Sequence, residues 1–286
     1  MKPSVLLAES VTPDGAKITL HERDGRYAIR VGGRELMNSA VPASELLLAE
    51  QGLGGKRKPK KILIGGLGLG FTLRRVLELA DADASVTVVE LLPAVVEWNR
   101  THLAKLNGDC LADPRVTVKV ENVRTHLAAA APEAYDAVLL DVDNGPAAMV
   151  SEDNMKLYSE RGLNRLRAML PRGGRAVVWS ASIDVRFTSR MQRAGFVVET
   201  VRAKTHKGAH CSAYAIFVGD KPLTHEIASR VASPNPAHGG AVAARENPDA
   251  GAPGGPAAVR AARRAKRANP FEAAKKPPRL WRPRGA

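Results

Sequence analysis

Short apolar runs alternate with amphipathic stretches from Lys61 onward, and this alternation constrains the fold more than any other feature of the chain. The first five runs read KILI, SVTVVE, RVTVKV, YDAVLLD and RAVVWSA. Helical patterns follow them over residues 71–80, 93–106, 123–130, 155–170 and 184–194. Apolar strands bounded by helices are typical of a parallel sheet that is covered on both faces. The sequence therefore predicts a doubly wound α/β domain.

Two further apolar runs, FVVETVRA and CSAYAIFV, complete the pattern. The segment that joins them, residues 204–210, has no helical pattern, so these two strands are expected to pair antiparallel. The prediction is a mostly parallel seven-stranded sheet that ends in an antiparallel hairpin. This arrangement resembles the class I methyltransferase-like folds.

Four glycines, Gly65, Gly66, Gly68 and Gly70, lie between the first apolar run and the first helix, in the segment ILIGGLGLGF. Glycine permits a tight turn and a close approach of ligand to backbone, at the edge where open α/β sheets bind ligands. Dinucleotide sites use the spacing G-x-G-x-x-G, whereas this segment reads G-G-x-G-x-G. The turn therefore favours a nucleoside ligand without a pyrophosphate.

Polar residues at the ends of the next two strands extend this predicted site. Glu90 ends the second strand, where a carboxylate can accept hydrogen bonds from both hydroxyls of a ribose, and Leu91 follows it beside the ligand. An alternative is that Glu90 caps the next helix. Asn122, after the third strand, either faces an adenine amino group or is only an N-cap. Together with the glycines, these residues predict binding of an S-adenosylmethionine-type nucleoside.

The fourth strand ends in LLDVDNGP and supplies the candidate catalytic residue, Asp141. A carboxylate at this edge can orient a cationic substrate or accept a proton from an attacking amine. Asp143 and Asn144 follow in the loop as candidate substrate ligands. The alternative is that Asp141 and Asn144 cap a loop and a helix.

The residues before this domain predict a smaller unit. KITL, RYAIRV and RELMN read as a three-stranded β-meander over residues 16–37. Ser44 is predicted to cap a helix over residues 45–50, and a glycine- and lysine-rich linker is predicted over residues 52–60. The predicted domains are 1–55, the β-meander and helix; 56–222, the nucleoside-binding domain; and 223–286, a tail.

The predicted tail is basic and contains few large apolar residues. Residues 231–286 have 11 Lys or Arg and 3 Asp or Glu, which gives +8 of the net charge of +14. This composition predicts disorder, with nucleic-acid binding and simple solubilisation as equal alternatives. No run of residues is long and apolar enough for a membrane span, and the two cysteines have no metal or disulfide spacing, so a cytoplasmic protein is expected. His206, His210 and Cys211 are expected to lie in a hairpin loop rather than to bind a metal.

The motifs GGLGLG, VTVVELLPAVVEWNRTHL, DPRVTV and YDAVLLDVDNGP resemble those of the spermidine synthases, the polyamine aminopropyltransferases. The resemblance covers about residues 15 to 220 and leaves out the tail. It implies a transferase that uses S-adenosylmethionine or its decarboxylated form as donor and a small amine as acceptor. It also implies a homodimer.

The chain departs from this family's pattern mainly where the acceptor binds. The family glycine motif reads GGGDGG, and its Asp, which holds the amine, is replaced here by Gly68. Asp141 matches the first Asp of the family's D-x-x-D-P loop, but Asp143 and the proline are displaced. Asn122 replaces an adenine-contacting Asp, whereas Glu90 matches the ribose-binding acid.

Because a polyamine needs a carboxylate for each buried ammonium, the missing acid predicts an acceptor other than putrescine. Aminopropyl and methyl transfer to an amine both remain open. The sequence also leaves two alternatives: a methyltransferase acting on RNA or another macromolecule, and a catalytically silent nucleoside- or nucleic-acid-binding module.

Overall fold

A computed structural model describes residues 3–55, 58–142, 156–203 and 214–223. Several predictions fall outside these residues: those for Asp143, Asn144, the 204–210 loop with Cys211, and the tail. Within the part that is described, no helix is both long enough and apolar enough to cross a lipid bilayer.

The N-terminal residues form a four-stranded antiparallel sheet with the order β1-β2-β3-β4. Its strands are β1 (Val5–Val11), β2 (Lys17–Arg23), β3 (Arg26–Val31) and β4 (Arg34–Asn38). The predicted β-meander is confirmed as β2 to β4. The sequence prediction missed β1, which is the edge strand of this sheet, pairs with β2 and leaves Val5 and Leu6 exposed. Its sequence, VLLAESV, is largely apolar but does not alternate with the period of a half-buried strand.

Helix α1 (Ala43–Leu53) follows this sheet, and the prediction for its ends was wrong. Pro42 occupies the N-cap position, where its carbonyl accepts a hydrogen bond from Leu46 N–H. Ser44 lies inside the helix, and its hydroxyl donates to the carboxylate of Glu45 at 2.6 Å. The helix continues through Gly52, which was predicted as linker. Gly52 lies so close to the large sheet that a Cβ there would be 2.8 Å from Leu139, so only glycine fits at this point of the helix. This close packing of α1 on the large sheet outweighs the low helix propensity of glycine.

The remaining strands form a seven-stranded sheet with the order β10-β11-β9-β8-β5-β6-β7, which confirms the predicted fold class. These strands are β5 (Lys61–Gly65), β6 (Ser85–Glu90), β7 (Val116–Val120), β8 (Ala137–Leu140), β9 (Arg175–Ser180), β10 (Val197–Ala203) and β11 (Tyr214–Asp220). Strands β5 to β9 are parallel, and β11 pairs antiparallel with both β9 and β10. The final antiparallel hairpin is therefore also confirmed.

Helices cover both faces of this sheet. They are α2 (Phe71–Leu79), α3 (Pro93–Arg100), α4 (Ala104–Asn107), α5 (Val123–Ala129), α6 (Glu160–Ala168) and α7 (Val185–Arg193). Alternate strand residues serve opposite layers: Ile62 and Ile64 pack in the layer of α1 to α3, whereas Leu63 packs in the layer of α5 to α7. All three are fully buried. Two apolar layers explain why the strands read as continuous apolar runs.

Two predicted helices differ in length from the structure. The helix predicted over 93–106 is interrupted after Arg100. The N–H of Leu103 donates to the carbonyl of Trp98, and the side chain of Leu103 is buried. The helix predicted over 155–170 has its regular part from Glu160, because Ser159 is an N-cap whose hydroxyl accepts from Gly162 N–H at 3.2 Å. Burial of Leu103 and local capping, neither visible in the apolar period, set these boundaries.

Candidate active site

The predicted site residues meet at the carboxyl edge of the large sheet. Strand β5 lies between β6 and β8, so the chain crosses from one side of β5 to the other at this point. Open α/β sheets bind ligands at such a switch point. A cavity of about 160 Å³, which we call the glycine-turn cavity, opens here. Its lining includes six of the predicted residues: Gly66, Gly68, Glu90, Leu91, Asn122 and Asp141.

The turn after β5 needs glycine at Gly66 because the backbone there is in the left-handed region and meets the neighbouring strand. Gly66 has φ +92°, and a Cβ would lie 2.2 Å from the carbonyl oxygen of Asp141. No side chain fits at that distance. The turn is therefore closed against the end of β8, and the Asp141 side chain is brought to the glycine-turn cavity.

The other two predicted glycines contact protein rather than the cavity. A Cβ at Gly65 would lie 2.8 Å from Val123, and Gly70 is the left-handed N-cap of α2, packed against Asn99 and Asn107. Neither is among the residues that line the glycine-turn cavity. Their direct contact with a ligand stays a prediction, and the structure gives them a packing role.

Glu90 is buried at the end of β6 and is held by the glycine turn itself. One carboxylate oxygen accepts from Leu67 N–H at 2.8 Å, and the other accepts from Leu92 N–H at 2.9 Å. Burial raises the pKa of Glu90, and the backbone N–H groups oppose that rise. Each oxygen retains a second lone pair. The carboxylate is thus fixed in a cavity wall with acceptor capacity left for hydroxyl groups.

Asn122 acts as the N-cap of α5, which was one of the two roles that the sequence left open. Its side-chain oxygen accepts from Arg124 N–H at 2.8 Å. The residue also lines the glycine-turn cavity, among the apolar side chains of Val89, Val95 and Val123. Contact with an adenine is compatible with this position and stays a prediction.

Asp141 lies between the glycine-turn cavity and a second, larger one. The second cavity has a volume of about 350 Å³, and we call it the acidic cavity. The two cavities share the lining residues Leu36, Met37, Gly68 and Asp141. Asp141 therefore lines both spaces.

The environment of Asp141 suits proton transfer at neutral pH. Burial, and then the negative charge of Glu45, raise the pKa of Asp141 to about 7, while a hydrogen bond from Thr72 opposes the rise. The Thr72 hydroxyl donates to Oδ2 of Asp141 at 3.0 Å. A carboxylate of this kind is oriented by Thr72 and titrates near the operating pH of a general base.

The acidic cavity is lined by three carboxyl side chains, those of Glu35, Glu45 and Asp141, and by the aromatic rings of Phe71, Trp179 and Tyr214. Among the described residues that line it there is no Lys, Arg or His. Burial raises the pKa of Glu45, against the hydrogen bond from Ser44. An uncompensated acidic and aromatic lining is complementary to an organic cation.

Sequence reasoning missed four residues of the acidic cavity: Glu45, Thr72, Tyr214 and Trp179. These residues come from α1, α2, β11 and β9, and no local spacing connects them. One available signal was the acid in the first turn of α1, next to a serine. Asp184, which follows the fifth strand of the large sheet, is not part of this lining and acts as the N-cap of α7, where it accepts from Arg186 N–H at 2.9 Å.

The described residues offer no other reactive centre of the kinds considered. Within them, no group of three or more His, Cys, Asp or Glu side chains is placed to hold a metal ion. Cys110 is buried, and burial raises the pKa of its thiol to about 12. Because the thiolate is the reactive form, Cys110 is not a nucleophile at neutral pH.

The fold and the two cavities define the class: a methyltransferase-like α/β protein with a glycine turn beside an acidic cavity. The spermine/spermidine synthase domain model matches residues 43–189, just over half of the chain. The chain belongs to the spermine/spermidine synthase family. It shares 28% identity over 164 residues with a polyamine aminopropyltransferase of Aeropyrum pernix, covering 56% of this chain and 48% of that protein.

The chain is also similar to a methyltransferase and to a solved structure. Putrescine N-methyltransferase 2 of Nicotiana attenuata is 34% identical over 112 residues, covering 38% of this chain and 29% of that protein. The crystal structure of spermidine synthase from Thermotoga maritima matches with a TM-score of 0.61 at 17% identity, covering 77% of this chain and 74% of that one. The chain thus spans about half or less of the length of these two curated relatives, and the similarity to the solved structure concerns the fold.

Proposed function

We propose that this chain is a transferase that moves an alkyl group from an adenosyl sulfonium to the nitrogen of an amine. The donor would be S-adenosylmethionine or its decarboxylated form. The observation that carries the proposal is the junction at Asp141, where the glycine-turn cavity and the acidic cavity adjoin. One substrate on each side would bring a donor carbon and an amine nitrogen together at a carboxylate.

The glycine-turn cavity has the features that an adenosyl group requires. Backbone lies open to it at Gly66 and Gly68, the Glu90 carboxylate is fixed in its wall, and apolar residues such as Val95 and Val123 line it. In this proposal Glu90 holds the ribose hydroxyls, and the valines contact the flat faces of the base. Burial of the site excludes water from the reaction.

Asp141 would prepare the amine. An ammonium entering the acidic cavity loses a proton to the Asp141 carboxylate, which exposes the nitrogen lone pair. The donor supplies an activated leaving group: the new N–C bond forms as the C–S bond breaks, and its electron pair stays on sulfur to give a neutral thioether. The protein's contribution is then alignment and one proton transfer.

The transferred group is either aminopropyl or methyl, and the two named relatives, an aminopropyltransferase and a putrescine N-methyltransferase, support alkyl transfer in general. Because Gly68 replaces the acid of the family motif, we propose an acceptor preference that differs from putrescine alone. The homodimer, the cytoplasmic location and a nucleic-acid role of the tail stay predictions.

The test is to incubate the full chain with each donor and a panel of amines, and to detect the adenosyl thioether and the alkylated amine by mass spectrometry. Asp141→Asn should lower turnover about 100-fold or more, the usual size of a general-base effect. Asp24→Asn, the same change in an exposed turn, should leave turnover unchanged. Failure of the wild-type chain to consume either donor with any amine would overturn the proposal.

A further inference from the structure

We infer that Asn99 is a positioning residue for the glycine turn: its side-chain amide holds the carbonyl of Gly68 and fixes the shape of the turn before a ligand enters. Asn99 lies on α3 and does not line either cavity, so it acts through Gly68, which lines both. The inference rests on the proposed function for one consequence, the affinity for the adenosyl donor.

The first observation is that the turn depends on contacts for its shape. Gly66, Gly68 and Gly70 have φ values of +92°, +53° and +85°. Glycine has access to many backbone conformations, so a segment with this many glycines adopts one shape only where other groups hold it. A ligand that binds to a loose turn must also order it, which lowers the affinity. The groups that hold the turn therefore bear on ligand binding.

The second observation is that two side chains hold successive residues of the turn. The Glu90 carboxylate accepts from Leu67 N–H at 2.8 Å. Asn99 donates from Nδ2 to the carbonyl oxygen of Gly68, also at 2.8 Å. One side chain is an acceptor and the other a donor, so each matches the backbone group that it meets. Together they fix two neighbouring peptide groups of the turn.

The third observation is that Asn99 is itself held in place. Its Nδ2 also donates to the carbonyl oxygen of Val95 at 2.9 Å, and its Oδ1 accepts from Nδ2 of Asn107 at 2.7 Å. Asn99 and Asn107 are each only 1% exposed. A buried amide whose donors and acceptor are all used has little freedom to rotate. Asn99 thus presents a donor of fixed direction to Gly68.

The asparagine pair also accounts for glycine at the end of the turn. A Cβ at Gly70 would lie 2.8 Å from Oδ1 of Asn99 and 2.9 Å from Cβ of Asn107. No larger residue fits at Gly70 while both asparagines keep their positions. Asn99 therefore contacts the turn at two points, at the carbonyl of Gly68 and in the space beside Gly70.

The experiment replaces Asn99 by serine in the full chain. In Asn99→Ser the hydroxyl can still donate to the carbonyl of Val95, four residues earlier on the helix, but it is too short to reach Gly68. Calorimetry with S-adenosylmethionine and its decarboxylated form should show a Kd raised on the order of 10- to 100-fold, as expected for a carbonyl left without its donor. At saturating donor, which holds the turn in its bound shape, kcat should change by less than about threefold.

Asn107→Ser is the matched control, because it removes the bond between the two asparagines and leaves the bond from Asn99 to Gly68. Both variants should lower the midpoint of thermal denaturation, but Asn107→Ser should change the donor Kd by less than about threefold. Hydrogen–deuterium exchange over residues 65–70 without ligand gives a second measurement. Exchange should be about 10-fold faster or more in Asn99→Ser, and close to the wild-type rate in Asn107→Ser.

Unchanged exchange over residues 65–70 in Asn99→Ser would overturn the inference. Unchanged donor affinity in that variant would do so as well, as would equal losses of affinity in the two variants, since those would reflect a general loosening of the fold. The two proposals fail in different ways. If the wild-type chain binds no adenosyl donor, the proposed function fails, and the exchange rates still test Asn99. If the donor binds equally well to the wild type and Asn99→Ser, only the role of Asn99 is wrong.

Discussion

The glycine-turn cavity and the acidic cavity share a wall but are built differently. The glycine-turn cavity lies at the ends of consecutive strands, and backbone forms one part of its wall: the left-handed turn at Gly66 and the N–H groups that hold Glu90. Side chains of the small sheet, among them Ile18 and Ile29, form another part. The acidic cavity is lined by side chains from β4, α1, α2, β9 and β11. We therefore expect substitutions at the glycine turn to affect folding, and substitutions in the acidic cavity to affect charge and selectivity.

Under the proposed function, this contrast assigns different effects to the two cavities. Changes in the strand-end backbone would affect the donor, and changes of side chains around Asp141 would affect the acceptor. At Gly68 the sulfur of Met37 fills the space that a longer side chain would need. Substitutions in the two cavities should therefore separate into effects on folding and donor affinity, and effects on acceptor and pH.

The largest effect is expected from Gly66→Ala. Its Cβ would lie 2.2 Å from the Asp141 carbonyl oxygen, and its φ of +92° is unfavourable for alanine. We expect a loss of about 3 kcal/mol or more in the free energy of unfolding, with loss of donor binding. Gly15→Ala is the control, because Gly15 has φ +84° and nothing within 4 Å, so only the cost of the backbone conformation, about 1 kcal/mol, applies. Equal denaturation midpoints for the two variants would contradict the backbone account.

Asp141→Asn should stabilise the protein at alkaline pH while it inactivates it. The folded pKa of about 7 lies above the unfolded value, so the ionised form is disfavoured in the folded state. The resulting loss of stability is complete above the folded pKa and disappears as pH falls toward the unfolded pKa. We expect a gain on the order of 1–2 kcal/mol at pH 8, reduced from the full shift because the side chain is partly exposed, and little gain near pH 4.

Denaturant unfolding at pH 8 and pH 4 measures this difference. The amide in Asp141→Asn still accepts from Thr72, so the substitution removes charge with little change of shape. If Asp141→Asn is less stable than the wild type at pH 8, the folded state does not disfavour the ionised form of Asp141.

The smallest expected effects are opposite shifts of the acidic limb of the pH–rate profile. Carboxyl groups that line the acidic cavity with Asp141 are Glu45 from α1 and Glu35 from β4, and Tyr214 from β11 is the other titratable group. Glu45→Gln removes a negative charge and should shift the limb from about pH 7 to lower pH. Thr72→Val removes the hydrogen bond that favours ionised Asp141 and should shift it to higher pH.

Profiles of kcat/KM over pH 5 to 9, collected with a monoamine acceptor, test the two shifts, each about half a unit to one unit in size. A shift in the same direction for both variants would mean that the acidic limb of the profile reflects the titration of a group other than Asp141.

Most of the fold and of the glycine-turn cavity, the proposed donor half of the site, could be predicted from the sequence because their signals are local. The apolar runs gave the seven strands, and the glycine spacing with Glu90 at the next strand end gave the turn and the carboxylate in its wall. For Asn122 the sequence left a cap and an adenine contact open, and the structure shows the cap. Each of these depends on residues that are close in the chain.

The acceptor half could not be predicted because it depends on tertiary packing. Nothing in the spacing of Glu45 and Asp141 shows that α1 packs on the large sheet and brings both carboxylates to one cavity. The same packing explains why α1 includes Gly52. It also accompanies the position of Ser44 inside the helix, whereas the sequence predicted Ser44 as the N-cap. The strand β1 was missed because its sequence, VLLAESV, lacks the apolar–polar alternation that marks a half-buried strand, and its pairing with β2 is a tertiary feature.

The proposed chemistry requires that the glycine turn and Glu90 form a pocket for an adenosyl group. Isothermal titration calorimetry with S-adenosylmethionine, its decarboxylated form and the corresponding adenosyl thioether tests it most directly. We predict binding of at least one of these by the wild-type chain, weakened about 10- to 100-fold in Glu90→Gln, as loss of a charged hydrogen-bonding group implies. Glu97→Gln, the same change at an exposed site on α3, should bind as the wild type does. Absence of binding to all three ligands, or equal affinity in the wild type and Glu90→Gln, would contradict the account.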